Sequence, residues 1–170
     1  MSPIVRFYSG TGTDAVGRSL AQIQALDVAR MEYFHDFIQW MFPLRQASAY
    51  NPNSPILTDE DVNAFRDRPE LRDALRASFA AFLAFLGLEY DSVLNVVRKG
   101  PRYESRRRVF ASPNHNWLRI TRVLLCLKTL GLDVEAEAFF ACLTSLFENG
   151  EGITAQTFAY WNDAARGMSR

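Results

Sequence analysis

The chain has 170 residues, 48% of them hydrophobic and 22% charged, a balance that fits one globular domain around one core and excludes an intrinsically disordered chain. Lys and Arg number 19, as do Asp and Glu, so no bulk charge draws the molecule to nucleic acid or an anionic membrane, and any such binding has to be local. No apolar run approaches the roughly 18 residues of a membrane span, Met1 to Gly10 lacks the apolar stretch of a signal peptide, and Cys126 and Cys142 have neither disulfide-framework nor metal spacing. The expectation is a protein of the reducing cytoplasm.

Residues 1–12 read as a flexible, loop-like end. Thr13 or Asp14 then caps a first helix to about Ala25, with Val16, Leu20 and Ile23 on one face. Val28, Met31, Phe34, Ile38 and Met41 predict a second helix from Asp27 that stops before Pro43. Residues 43–57 are proline-rich and lack periodicity, which marks a loop.

Thr58 and Asp61 form a weak capping box for a short helix through Phe65. Pro69 opens a long helix with Leu71, Leu75, Phe79, Phe82, Leu83 and Leu86 as its stripe, closed by Gly87. Between Gly87 and Ala111 the pattern supports no more than one helical or strand turn at Val93 to Val97. Ser112 and Pro113 start a helix that is apolar almost all round and ends near Gly131, which predicts a central position at 113–130. Val134 to Glu148 and Thr154 to about Arg166 complete the set, with a second flexible end at 167–170. The expected architecture is all-α, a single domain of about six helices bundled around the central one.

Polar side chains interrupt two of these helices. On the central helix His115, Arg119 and Arg122 share one stripe that Cys126 continues, and Glu32, His35 and Gln39 make a matching stripe on the second helix. If the stripes face each other, the simplest reading is a buried polar network that fixes helix register. The functional reading is a pocket for an anionic or polar ligand lined by His35, Gln39, Trp40, His115, Asn116, Trp117, Arg119 and Arg122, with the arginines holding the anion and the tryptophans as apolar walls.

Glu32-x-x-His35 is half of the motif with which four-helix bundles bind two metals, but the second half is absent, and a single-metal site of Glu32, His35 and His115 is the weakest alternative. The run Arg98, Lys99, Arg102, Arg106, Arg107 and Arg108, interleaved with Tyr103 and Phe110, reads first as a solvated loop face and second as a phosphate or nucleic-acid contact. Gly10-Thr11-Gly12 lacks the rest of a phosphate loop, and Ser112 beside His115 suits capping better than nucleophilic attack, so no catalytic residue, metal or cofactor is assigned.

The segments His35 to Pro43 and Asn114 to Arg122 resemble the conserved N-terminal domain of the opioid growth factor receptor family, together with Phe7 to Gly10, Pro43-Leu44, Ser48, Asn51, Pro55 to Thr58, Phe85 to Leu88 and Leu130 to Leu132. The resemblance runs from about Phe7 to Trp161. It implies a non-enzymatic, receptor-like domain associated with peptide signalling, unrelated to the seven-helix opioid receptors. Its partner would be a small anionic or peptide ligand or a protein. The family's long repeat-bearing tail is not present in these 170 residues, so the expectation is a short, stand-alone member of bacterial type.

Overall fold

The computed structural model describes residues 1–169; Arg170, the last residue of the expected flexible end, lies outside the described residues. Eleven helices and one two-stranded sheet are present among the described residues, so the chain is all-α with a small β addition, its helices shorter and more numerous than the periodicity suggests. It divides into two compact units, Met1–Ala81 and Phe82–Arg170.

In the first unit, Pro3–Tyr8 forms α1, capped by Ser2, in a stretch expected to be a flexible end. Its Ile4, Val5, Phe7 and Tyr8 are buried, and the Tyr8 hydroxyl donates to the Met41 carbonyl, which turns this end into part of the core. The first predicted helix shrinks to α2 (Leu20–Gln24), opened by a capping box of Ser19 and Gln22. Ahead of it Asp14 accepts from the backbone N–H groups of Val16 and Arg18, and Gly17 has φ +88°, so residues 14–18 make a turn where a helix was expected.

The second predicted helix is broken into α3 (Val28–Tyr33) and α4 (Ile38–Met41). Arg18 explains the break: its guanidinium pairs with Asp14 and Asp36 and lies 5.6 Å from the Phe34 ring centroid, while the Phe34 backbone is extended. The tertiary contact outweighs a helical pattern that is otherwise good. Thr58 and Asp61 do form the capping box of α5 (Asp59–Asp67), and α6 runs from Pro69 to Leu86 as expected. Gln24 donates to the Ala74 carbonyl and to the Ser78 hydroxyl of α6, which ties α2 to it.

In the second unit, β1 (Leu88–Asp91) and β2 (Val96–Lys99) pair antiparallel, with Leu88 opposite Lys99 and Asp91 opposite Val96. Asp91 accepts from the N–H groups of Val93 and Leu94, and Asn95 takes φ 53°, which closes the hairpin. Two short helices follow, α7 (Tyr103–Arg106) and α8 (Arg108–Ala111).

The central helix, α9 (His115–Thr129), is capped by Asn114 rather than Ser112, because the Asn114 side chain accepts from the Asn116 N–H. It packs against α10 (Asp133–Glu148) and α11 (Ala155–Ala165). Trp161 is fully buried there, set edge-on to Trp117 with centroids 6.1 Å apart, and its indole N–H donates to the Trp117 carbonyl.

Candidate functional site

The residues that the sequence singles out fall in both units. In the first, the break between α3 and α4 removes the helical register that would align Glu32, His35 and Gln39: Glu32 belongs to α3, His35 to the connecting segment, and Gln39 to α4. The i, i+3 geometry of the metal half-motif goes with it. Trp40 is buried against Phe7 with centroids 5.3 Å apart, a core position. Gln39 is buried, and its side-chain carbonyl has no hydrogen-bond partner among the described residues. Among the described residues no three His, Cys, Asp or Glu side chains converge as a metal site.

The α9 residues separate onto two faces. Trp117 turns toward α11, and its indole N–H donates to the Val109 carbonyl, so it braces the helix pair and does not wall the arginine stripe. On the other side Asn116 and Arg119 are both buried, and Nη1 of Arg119 donates to Oδ1 of Asn116 at 3.3 Å. The Arg119 guanidinium lies 5.9 Å from the centroid of Phe85, in the last turn of α6.

A second arginine reaches the same ring. Arg106 in α7 places its guanidinium 4.7 Å from the Phe85 centroid and donates from Nε to the Phe85 carbonyl at 2.7 Å. In the sequence Arg106 belongs to the basic run and Phe85 only to a motif of the family resemblance; Gly87, whose φ of +80° reverses the chain after α6, is the signal that brings the two together. A Cβ on Gly87 would stand 2.8 Å from the Tyr103 Cα, so only glycine lets α7 approach this closely.

One turn along α9, burial lowers the Arg122 pKa against the opposing pull of Cys126, whose own thiol burial pushes up. His115 is exposed at the start of the helix. Arg106 of α7 and Arg119 of α9 thus bring their guanidinium groups to one phenyl ring, with the Asn116 carboxamide on Arg119 and Arg122 a turn further along α9. Planar guanidinium forks suit the two oxygens of a carboxylate or phosphate, and the aromatic backing holds them in place.

The conserved region of the opioid growth factor receptor, as a family model, matches residues 13–165. The chain belongs to the opioid growth factor receptor family. The opioid growth factor receptor of Mus musculus is 36% identical over 104 residues, which are 61% of this chain and 16% of the mouse protein. Opioid growth factor receptor-like protein 1 of Xenopus tropicalis is 31% identical over 139 residues, 82% of this chain and 26% of that protein. The Homo sapiens receptor is 34% identical over 104 residues, 61% of this chain and 15% of the human protein. The chain thus spans between 15% and 26% of the length of these family members. No solved structure is significantly similar to it. Among the described residues no helix is long and apolar enough to cross a membrane.

Proposed function

We propose that this family member is a non-catalytic ligand-binding domain, and that the Arg119 face of α9 holds an acidic group of the ligand. The observation that carries the reading is the convergence of Arg106 and Arg119 on Phe85, with Arg119 only 5% exposed and fixed by Asn116. An arginine fork held in place by its neighbours recognises a carboxylate or phosphate without first being ordered.

The names of the relatives, opioid growth factor receptors, supply the first ligand class to try: a peptide, with its terminal carboxylate on the arginines. Titration of wild type, R119K and R119A with opioid growth factor and with the same peptide amidated at its C-terminus tests this. The expected outcome is binding by wild type, a loss of about tenfold or more in R119K because the fork is lost, and no binding by R119A. Equal binding of the acid and amide forms would remove the carboxylate from the account.

A further inference from the structure

The basic segment singled out in the sequence is not an open array of cations. Arg98 pairs with Glu89 and Asp91 of β1, and Arg106 is engaged with Phe85. Lys99 and Arg107 share one acid from outside the segment: the Glu151 carboxylate accepts from Nε of Arg107 at 2.9 Å and lies 3.6 Å from Nζ of Lys99. Glu151 stands in the loop between α10 and α11 with its side chain 6% exposed, whereas those of Lys99 and Arg107 are 48% and 56% exposed. The acid is on the inside and the cations open outward. Lys99 also rests on the Tyr103 ring, 4.4 Å from its centroid, a second contact that helps to place it.

We propose that Lys99 and Arg107, with the exposed Arg102 and Arg108 beside them in the chain, form a binding face for clustered phosphate groups, and that Glu151 is an internal competitor which holds its affinity down. A phosphate presents oxygen acceptors to the same N–H donors that Glu151 now engages, and the released carboxylate gains solvent. The side chain can leave while its loop stays, because Gly152 is seated against Ala111 so closely that a Cβ would stand 2.3 Å from the Ala111 carbonyl oxygen.

The ligand class is phosphate without a base. Tyr103 and Phe110, the two aromatic residues of the segment, are buried and stacked on each other at 6.1 Å, so neither offers a ring face on which a base could stack. This face is separate from the Arg119 site and does not depend on it.

Inorganic tripolyphosphate is the probe, titrated into wild type, E151Q and E104Q. Glu104 is the control, because it lies 3.8 Å from the same Arg107 but is 80% exposed. The proposal predicts binding about tenfold tighter in E151Q than in wild type, a change within about twofold in E104Q, and loss of the gain when R107A is added to E151Q. No gain in E151Q, or the same gain in both glutamine variants, would overturn it. Should E151Q fail to fold, R107A in the wild-type background takes its place: it should weaken tripolyphosphate binding about tenfold while R45A, whose ion pair with Asp59 is remote in sequence, leaves it unchanged, and equal effects would overturn the proposal. A short oligothymidylate that binds far more tightly than tripolyphosphate at matched phosphate concentration would contradict recognition without bases.

Discussion

Arg119, Glu151 and Cys142 each set burial against charge, and each resolves the conflict differently. Arg119 keeps its guanidinium beside Asn116 and the Phe85 ring. For Glu151, burial works to raise the pKa, but the hydrogen bond and charge of Arg107, with Lys99, outweigh it and hold the carboxyl below its ordinary range. The sign of the pH effect follows. A depressed carboxyl contributes stability above the unfolded pKa, about 4.3 for Glu, and loses it as pH falls through the lower folded value. Wild type should therefore lose stability between about pH 5 and the folded pKa more steeply than E151Q, as read from urea midpoints across pH. Cys142 takes the third course: burial pushes its thiol up to about 11 despite the opposing charge of Lys99. It should stay largely unmodified by iodoacetamide in the folded protein at neutral pH and react once the chain is unfolded, which intact-mass spectrometry reads directly.

The elements differ in how far local sequence decides them. α5 and α6 are legible because their signals are local: Thr58 and Asp61 close a capping box, Pro69 occupies a first turn, and Gly87 supplies the positive φ that stops the helix. α9 is nearly so, missed only in its cap. The second predicted helix fails because Arg18, 18 residues before Asp36, captures both Asp36 and Phe34, a contact that helical periodicity does not contain. The hairpin at 88–99 is faint because β1 and β2 are four residues each, with only Leu88 and Val97 buried, so alternation has almost no length over which to appear. The site follows the same division. Arg119 and Arg122 are legible as a stripe on one helix, whereas Phe85 and Arg106 join them only through the turn at Gly87. Gly152 carries a prediction at this scale. Its φ is +120° and the Ala111 carbonyl leaves no room for a Cβ, so G152A should cost about 2–4 kcal/mol, checked by chemical denaturation. Trp161 of α11, fully buried against α9, should cost about 3–5 kcal/mol as W161A in the same assay.

At the scale of the whole molecule, a balanced charge hides local asymmetry. Acidic and basic residues are equal in number, yet the second unit concentrates arginines around Phe85 and along residues 98–108. The first group is backed by the Phe85 ring and the Asn116 carboxamide, and in the second Glu151 engages both Lys99 and Arg107. Family members carry this region within chains several times longer. The measurement that bears most directly on the central claim is a thermal-shift comparison of wild type and R119A, run across carboxylate-ended peptides, their amides, simple anions and neutral analogues. A ligand at about 100 times its dissociation constant stabilises the folded state by roughly 2.7 kcal/mol, well within detection. The account predicts a shift with at least one acidic ligand, none with its neutral analogue, and no shift in folded R119A. A flat response of wild type to every acidic ligand, or a shift that persists in R119A, would contradict it.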